Sequence, residues 1–514
     1  MPWLLVLAGA RSVRDAAACG LAMCLAFVLS IFAWFGFAIA VYSAAAGAAG
    51  IVVLTLSAPL LQPQFIVFAV VRQLLGRSFG PALCAVGAAC AWVATEWMFP
   101  KLLADSLAQG FYPSPLLRQT ADLAGTAGIT FLIVLINEGL AAAAAAAWQR
   151  GPAGAVLRPL AASAAITLAM LGYGHWRLEQ FAAGAAAAQG KPLRIAMIQS
   201  NIAAYDRLRR EMGTYQAVRH VLDTHFAMSR EAVDRGQVDA LLWSETVFPT
   251  TFGKPKSDTG AELDREIAEF VRELGVPLVF GSYDRDEGGE YNSAVFLEPA
   301  AATAAARFEV YRKSRLFLLT EYVPRWMEGA RTRGWLPWAG TWKPGPGARV
   351  LPLRAAGREI PVLPMICLDD VDPELGAEGV RRGAELILTM SNDSWFTEHT
   401  EGAYLHLVVA AFRSIETRLP QVRVTSNGIS AVIDPSGEIL SSAGVGERST
   451  MIAEVTPRVP PRTLVVAWGD WLGRVALVVA AILLALATRA QRSTGALPGA
   501  SPARNPGSSR KRRR

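Results

Sequence analysis

Residues 361–367, Pro361-Val362-Leu363-Pro364-Met365-Ile366-Cys367, form a short apolar run that ends in a thiol. Continuous apolar runs of this length are typical of strands buried on both faces. Similar runs recur at Leu193–Gln199, Ala240–Trp243, Leu278–Tyr283, Ala294–Leu297, Leu386–Thr389, Gln421–Thr425, Ile429–Ile433 and Met451–Val455. Helical periodicity separates several of them, at roughly 213–235, 260–274 and 401–418. We therefore predict an α/β domain with a largely buried sheet.

Apolar residues are unevenly distributed along the chain. The 514 residues are 52% hydrophobic and 18% charged, whereas a soluble chain usually has about 25% charged residues. A helix needs about 20 apolar residues to cross a bilayer. Five N-terminal stretches and one C-terminal stretch meet this requirement, at approximately 17–44, 51–71, 79–101, 121–148, 157–176 and 464–487. Residues 190–460, in contrast, have the mixed composition of a soluble domain.

These patterns predict four regions. They are an N-terminal transmembrane domain of about five helices at 1–180, a soluble domain at 190–460, a C-terminal transmembrane helix at 464–489 and a disordered basic cytoplasmic tail at 490–514. The last four residues of the tail, 511–514, are all basic, which we interpret as a topology signal and not as a nucleic-acid site.

Arginines near the predicted spans indicate the orientation of the chain. They are Arg11, Arg14, Arg72, Arg77, Arg150, Arg158, Arg489 and Arg492. All of them fall on one side if each stretch crosses the membrane once. Loops rich in Lys and Arg are generally cytoplasmic. The domain at 190–460 is therefore predicted to be extracytoplasmic.

Three reactive residues follow predicted strands: Glu245, Lys313 and Cys367. The carboxyl ends of strands in an open α/β sheet collect at one edge, which would bring these side chains together. A thiol needs a base to act as a nucleophile, and a carboxylate can take its proton. An ammonium can stabilise the negative oxygen of a tetrahedral intermediate, where one donor is typically worth about 2.7–4 kcal/mol. The five histidines form no ligand-like pattern, so we predict neither a metal nor a cofactor.

Several ordered motifs resemble the nitrilase superfamily, and most closely its membrane-bound branch, the apolipoprotein N-acyltransferases. They are Trp243-Ser244-Glu245-Thr246, Tyr311-Arg312-Lys313, Glu321-Tyr322-Val323-Pro324, Met365-Ile366-Cys367, Ser391-Asn392-Asp393-Ser394-Trp395-Phe396, His406, Arg413, Glu416 and 423–430. The resemblance implies an αββα nitrilase-like sandwich inserted between transmembrane helices. It also implies that Glu245 is the general base, Lys313 the oxyanion stabiliser and Cys367 the nucleophile.

The resemblance further implies the substrates and the location. The acyl donor would be a membrane phospholipid, and the acceptor would be the N-terminal amine of a diacylglyceryl-cysteine lipoprotein. The catalytic domain would lie on the periplasmic side of the bacterial cytoplasmic (inner) membrane. Glu321 would assist the reaction, and Asp369 is a second supporting residue. The family usually has an aromatic residue and a glutamate after its cysteine, where this chain has Leu368 and Asp369.

Three alternatives remain open from the residues. The thioester could pass to water, which would make the protein a membrane-tethered amidase. It could pass to a different amine or hydroxyl group, an alternative that the departure at Leu368 and Asp369 motivates. The third alternative is a non-enzymatic membrane scaffold with a nitrilase-like domain, although no member of the predicted triad is missing.

Overall fold

The computed structural model describes residues 1–43, 47–99, 101, 103–187, 191–202, 205–300, 305–396 and 400–495. Residues 496–514 of the predicted tail lie outside the described residues. Within the described ranges the helices are α1 Pro2–Ala8, α2 Val13–Ile31, α3 Ala33–Ser43, α4 Gly47–Leu61, α5 Gln64–Leu75, α6 Pro81–Met98, α7 Ala121–Trp148, α8 Ala153–Ala187, α9 Tyr205–Met212, α10 Thr214–Arg235, α11 Asp258–Leu274, α12 Ala330–Trp335, α13 Pro373–Arg381, α14 Thr400–Thr417, α15 Leu464–Trp468 and α16 Trp471–Gly495. The strands are β1 Leu193–Gln199, β2 Ala240–Trp243, β3 Leu278–Asp286, β4 Gly289–Glu298, β5 Arg307–Arg312, β6 Leu351–Ala355, β7 Arg358–Ile366, β8 Leu386–Ser391, β9 Gln421–Thr425, β10 Ser430–Ile433, β11 Ile439–Ala443 and β12 Ser449–Val455.

The strands form two six-stranded sheets, ordered β12-β1-β2-β3-β4-β5 and β11-β10-β9-β8-β7-β6. The central strands β1, β2 and β3 are parallel, as are β7, β8 and β9, while the outer neighbours pair antiparallel. Two antiparallel steps separate β3 from β5, so β5 runs in the same direction as β2. The carboxyl ends of β2 and β5 therefore lie at the same edge of their sheet.

The two sheets pack face to face between two layers of helices. Alternate side chains of β1 illustrate this arrangement, because successive residues of a strand point to opposite faces. Ile195 and Met197 belong to the core between the sheets, together with Val362 and Val424 of the second sheet. Ile198 and its neighbours on that face instead pack against α10 and α11. The second sheet is covered on its outer face by α13 and α14. The predicted αββα sandwich is confirmed.

The strand and helix predictions for this unit are largely confirmed. The strands that were missed lie at sheet edges, and the helices that were missed are short. β6 and β11 are edge strands whose sequences, 351–355 and 439–443, mix apolar with polar or charged residues. Edge strands have fewer buried side chains, so their apolar periodicity is weak. The helices α9 and α13 are short, at 8 and 9 residues, which gives too few turns for a clear periodic pattern.

Helices lie on all six of the predicted apolar stretches. The described residues contain five helices long and apolar enough to cross a membrane: Val13–Ile31, Pro81–Met98, Leu117–Trp148, Ala153–Gly184 and Trp471–Arg492. A bent pair, Ala48–Leu61 and Gln64–Leu75, would make a sixth span, with an angle of 41° between its halves. Pro63 explains the bend because proline lacks an N–H and disfavours a helical conformation at the residue before it. The chain is a multi-pass α-helical membrane protein.

Two helix boundaries differ from the prediction. The first stretch, predicted as one span at 17–44, divides at Phe32, whose φ and ψ of −115° and 13° end α2. The C-terminal helix, predicted from 464, begins at Trp471 because Gly469 has a φ of 62° and ends the short α15. A positive φ of this size is readily adopted only by glycine. The four-region division itself stays a prediction.

A buried ion-pair network joins the membrane helices to the catalytic unit. Asp122, near the start of α7, accepts hydrogen bonds from Arg177 and Tyr173 of α8 at 2.7 and 2.6 Å. The same carboxylate accepts a 2.7 Å hydrogen bond from Arg418, which follows α14 of the catalytic unit. Asp122 is 1% exposed and Arg418 is 3% exposed. The Asp122 carboxylate is therefore a counter-charge shared by Arg177 and the buried Arg418, which come from different parts of the fold.

We expect Asp122→Asn to lower the free energy of unfolding by about 3–5 kcal/mol, because it leaves buried guanidinium groups without a counter-charge. The melting temperature of the purified protein in detergent measures this loss. Asp223→Asn is the control, since Asp223 pairs with Arg219 but its side chain is 56% exposed, and such surface pairs contribute about 0–1 kcal/mol. Equal melting temperatures for the two variants would contradict the anchoring role of Asp122.

Candidate active site

Glu245 follows β2 and is held at both carboxylate oxygens. Its Oε1 accepts hydrogen bonds from Asn292 Nδ2 at 2.7 Å and from Lys313 Nζ at 3.1 Å. Its Oε2 accepts a 2.8 Å hydrogen bond from the backbone N–H of Asn392. Glu245 is 7% exposed. These contacts fix the position of a carboxylate that is placed to accept a proton from a neighbouring group.

The backbone around Glu245 requires a glycine on the neighbouring strand. Gly281 of β3 donates a backbone hydrogen bond to the carbonyl of Ser244 at 3.1 Å. A Cβ atom on Gly281 would lie 2.3 Å from the nitrogen of Thr246 and 2.6 Å from the Cα of Glu245. Thr246 itself has a φ of 58°. The close approach of β3 therefore holds the turn that presents Glu245.

Lys313 follows β5, and its ammonium lies between two carboxylates. Nζ donates to Glu245 Oε1 at 3.1 Å and to Glu321 Oε1 at 2.9 Å, and the residue is 2% exposed. Burial acts to lower the pKa of Lys313, but Glu245 and Glu321 raise it well above its ordinary value. The amine therefore carries a positive charge at neutral pH and can stabilise a developing oxyanion.

Glu321 extends the same network toward the following loop. Its Oε1 also accepts a hydrogen bond from Asn292 Nδ2 at 3.1 Å, and its Oε2 accepts one from the backbone N–H of Phe317 at 2.7 Å. Glu321 is more exposed than Glu245, with 14% of its side-chain surface accessible against 6%. Glu321 therefore lies on the more solvent-accessible side of the ion pair between Glu245 and Lys313, where its contact with Nζ can position Lys313.

Cys367 begins the turn that follows β7, with its backbone in the left-handed region at a φ of 48°. This conformation costs a residue with a Cβ roughly 1–2 kcal/mol, and such strain clusters at functional sites. Burial raises the pKa of the thiol well above its ordinary value; the charge of Glu245 raises it further and that of Lys313 lowers it. Cys367 therefore lies within electrostatic range of both groups and rests as a neutral thiol that needs a base.

Asp369 connects the turn of Cys367 to the loop of Lys313. Its Oδ2 accepts hydrogen bonds from the backbone N–H of Ile366 at 3.0 Å and from the hydroxyl of Tyr311 at 2.9 Å. Its Oδ1 accepts from the backbone N–H groups of Ser314 and Arg315 at 3.0 and 2.7 Å. The residue is fully buried. One short carboxylate thus fixes the spacing between the strand ends that carry the thiol and the ammonium.

The structure brings the predicted residues Glu245, Lys313 and Glu321 into direct contact, with Cys367 and Asp369 on the adjoining turn. Sequence reasoning missed Asn292, whose amide binds both Glu245 and Glu321. The sequence feature that could have identified Asn292 is an asparagine within a strand, because asparagine is unfavourable there unless its side chain has a partner. Among the described residues, no group of three or more His, Cys, Asp or Glu side chains is arranged to hold a metal ion.

Comparison with known proteins gives two family matches and full-length relatives. The carbon-nitrogen hydrolase family model matches residues 194–459, and that of the apolipoprotein N-acyltransferase N-terminal domain matches residues 1–138. An apolipoprotein N-acyltransferase of Geobacter metallireducens is 27% identical over 467 residues, which are 88% of this chain and 83% of that protein. One from Bradyrhizobium diazoefficiens is 33% identical over 393 residues, 73% of this chain and 67% of that protein.

A solved structure of Nit3 from Saccharomyces cerevisiae, a member of branch 10 of the nitrilase superfamily, is 16% identical to this chain. The match covers 52% of this chain and 92% of the Nit3 chain, with a TM-score of 0.37.

The fold and the site define a class: an αββα sandwich, carried by membrane helices, that gathers a thiol, an ammonium and carboxylates at its strand ends. Both relatives match across the membrane helices and the sandwich. The chain belongs to the apolipoprotein N-acyltransferase family, the membrane-bound branch of the carbon-nitrogen hydrolases.

We expect Asp369→Asn to slow acylation of Cys367 by about 10²-fold, because an amide cannot accept hydrogen bonds at both ends and the two strand ends would shift. Intact-protein mass spectrometry after mixing with phospholipid measures the rate. Asp264→Asn is the matched control, since Asp264 also ties a loop, through the N–H of Gly253 at 2.8 Å, but lies outside the site. A rate equal to that of the control would show that Asp369 does not position the site.

Proposed function

We propose that this protein moves an acyl chain from a membrane phospholipid to the N-terminal amine of a diacylglyceryl-cysteine lipoprotein, through a thioester on Cys367. Relatives that carry the name apolipoprotein N-acyltransferase support the lipoprotein acceptor. The observation that carries the chemistry is the buried contact between Glu245 and Lys313 beside the thiol.

In the first half of the reaction, Glu245 takes the proton of the Cys367 thiol as the sulfur attacks the ester carbonyl of the phospholipid. The carbonyl oxygen becomes negative, and the ammonium of Lys313 stabilises it. The intermediate then collapses with cleavage of the carbon–oxygen ester bond. The leaving glycerol oxygen takes the proton from Glu245, so the products are a lysophospholipid and the acyl thioester.

In the second half, the neutral amine of the lipoprotein attacks the thioester carbonyl. Glu245 takes a proton from the attacking nitrogen, and Lys313 again stabilises the oxyanion. Cleavage of the carbon–sulfur bond releases the amide, and the cysteine sulfur recovers the proton from Glu245. The enzyme returns to its starting state, and no group outside the two substrates is consumed.

The surroundings of Cys367 favour an acyl chain over water as the group that enters the site. The thiol packs against an apolar cluster that includes Phe32 and Trp34 of the membrane region together with Leu368 and Phe396. Such surroundings accommodate a lipid chain and exclude water, which protects a thioester from hydrolysis. The amidase alternative is therefore not favoured.

The proposed location is the bacterial cytoplasmic membrane, with the catalytic unit on its periplasmic face. The arginines that flank the helical stretches support this orientation because they fall on the side opposite the catalytic unit if every stretch crosses once. Both substrates are anchored in the bilayer, so a catalytic unit held at its outer surface meets them without extracting either one.

The first test is the thioester itself. Incubation of the purified protein with phosphatidylethanolamine vesicles should add one acyl mass to Cys367, as measured by peptide mass spectrometry. Cys367→Ala should abolish the adduct, and Glu245→Gln should slow its formation by about 10²–10⁴-fold, the usual contribution of a general base. Cys84→Ala is the control, because Cys84 lies in the membrane helix α6 and should leave the rate unchanged.

A diacylglyceryl-cysteine peptide with a free amine should then discharge the thioester, whereas the same peptide with an acetylated amine should not. Release of free fatty acid at the same rate with either peptide would replace the proposal with the hydrolase alternative. Discharge by unrelated amines at the same rate would point instead to a different acceptor.

The second test addresses orientation. Glu287→Cys places a thiol in an exposed turn of the catalytic unit, and Trp148→Cys places one at the end of α7, where Trp148 is 90% exposed. A membrane-impermeant maleimide should label the first variant in spheroplasts and the second only after lysis. The opposite pattern would place the catalytic unit in the cytoplasm.

A further inference from the structure

Two turns that border the reactive groups each bury a further carboxylate: the turn that carries Cys367, and the turn after β8 that binds Glu245. The turn Cys367–Val371 contains Asp370, which is fully buried. The turn after β8 contains Asn392, whose N–H binds Glu245, and then Asp393, which is 1% exposed. Neither Asp370 nor Asp393 takes part in the chemistry described above.

One histidine and one arginine bridge these two carboxylates. The Nε2 atom of His406, on α14, lies 3.0 Å from Asp370 Oδ1, and its Nδ1 atom lies 3.2 Å from Asp393 Oδ1. Arg423, on β9, donates to Asp370 Oδ2 and, at 3.3 Å, to Asp393 Oδ2. The Nη2 atom of Arg423 also lies 2.9 Å from His406 Nδ1, so the two carboxylates hold two adjacent cationic groups when the ring is protonated. His406 is 1% exposed and Arg423 is fully buried. We call Asp370, Asp393, His406 and Arg423 the buried charge cluster.

The buried charge cluster is neutral only when the histidine is protonated, because two carboxylates then face two cations. Burial acts to lower the pKa of His406, but Asp370 and Asp393 raise it to about 9 against the opposing charge of Arg423. Burial likewise acts to raise the pKa of Asp393, yet Arg423 and His406 lower it to about 2. The His406 imidazolium and the Asp393 carboxylate are therefore charged together at neutral pH.

The buried charge cluster lies within electrostatic range of the nucleophile. The charge of Asp393 raises the pKa of the Cys367 thiol. The charge of the Cys367 thiolate, in turn, raises the pKa of Arg423. Phe396 closes one side of His406, with its ring centroid 6.0 Å away. A loss of positive charge here would leave the two carboxylates less compensated beside a thiol that must lose its proton.

We propose that the His406 imidazolium is a positioning residue that holds two turns in register: the turn Cys367–Val371, which carries the nucleophile, and the turn after β8, whose Asn392 N–H binds the base Glu245. The enzyme loses this register when the imidazolium loses its proton. This inference rests on the proposed function, in which Cys367 is the nucleophile and Glu245 is the base. The ring nitrogens of His406 face Asp370, Asp393 and Arg423, so His406 acts through Asp370 on one turn and Asp393 on the other.

The direction of the pH effect follows from the raised pKa. The stability that the imidazolium contributes is complete below the ordinary histidine value of 6.5 and is lost as pH rises through about 9. Above that pH the buried charge cluster carries a net negative charge. Acylation of Cys367 should therefore decline through about pH 9, even though the higher pH favours removal of the thiol proton.

The test compares His406→Gln with the full-length wild type in phosphatidylethanolamine vesicles, using the single-turnover rate of Cys367 acylation from pH 6 to 10.5. We expect the variant to be roughly 10–10²-fold slower at pH 7 and to lack the decline near pH 9. His225→Gln is the matched control. His225 is also 1% exposed in the catalytic unit, but its Nδ1 faces only a backbone carbonyl, that of Val221, at 2.8 Å. The control should retain the wild-type rate and the alkaline decline, whatever its melting temperature.

A double variant separates charge from packing. His406→Gln leaves one uncompensated carboxylate, and adding Asp370→Asn restores neutrality in the buried charge cluster. We expect the double variant to regain at least part of the rate lost by His406→Gln, as an interaction between the two positions requires. No recovery, or a His406→Gln variant that keeps the wild-type rate and pH profile, would overturn the inference. Absence of a Cys367 adduct in the wild type would instead overturn the proposed function.

Discussion

A single buried ammonium group, Lys313 Nζ, lies between the carboxylates of Glu245 and Glu321, and the site is arranged around that contact. Burial of a lone charge is unfavourable by several kcal/mol, so each of these groups requires the others. The contact places a proton acceptor and an oxyanion stabiliser side by side. It also makes the site intolerant of displacement, because movement of any strand end that carries one of them would leave a buried charge unpaired.

Strained turns and short carboxylates keep those strand ends in place. Thr246 and Cys367 both have left-handed backbone conformations, at φ values of 58° and 48°. The fold supports these turns: Gly281 allows β3 to approach the first, and Asp369, within the second, accepts from the N–H of Ile366 before it and from that of Ser314 in the loop after Lys313. The reactive groups are thereby fixed before substrate arrives, which is the condition under which electrostatic stabilisation is most effective.

The helix α14 connects the membrane region to the reactive turns. Its middle carries His406, which bridges Asp370 and Asp393, and the residue that follows its end, Arg418, binds Asp122 of α7. The same helix therefore contacts both the membrane anchor and the turns that hold the thiol and the base. Movement of α14 relative to α7 would break the pair between Arg418 and Asp122, so the position of the reactive turns is coupled to that of the membrane helices.

The sequence by itself determined most of the strands and the six apolar stretches and predicted the three candidate reactive residues, because apolar periodicity is local and each motif is contiguous. The αββα fold followed from the family resemblance, and the structure confirms it. Only the tertiary structure identified Asn292, the bridging role of His406 and the junction at Asp122. A buried polar side chain is recognised by partners that lie far away in the chain, so no local pattern marks it. The helix break at Phe32 likewise depends on packing that the apolar composition of 17–44 does not encode.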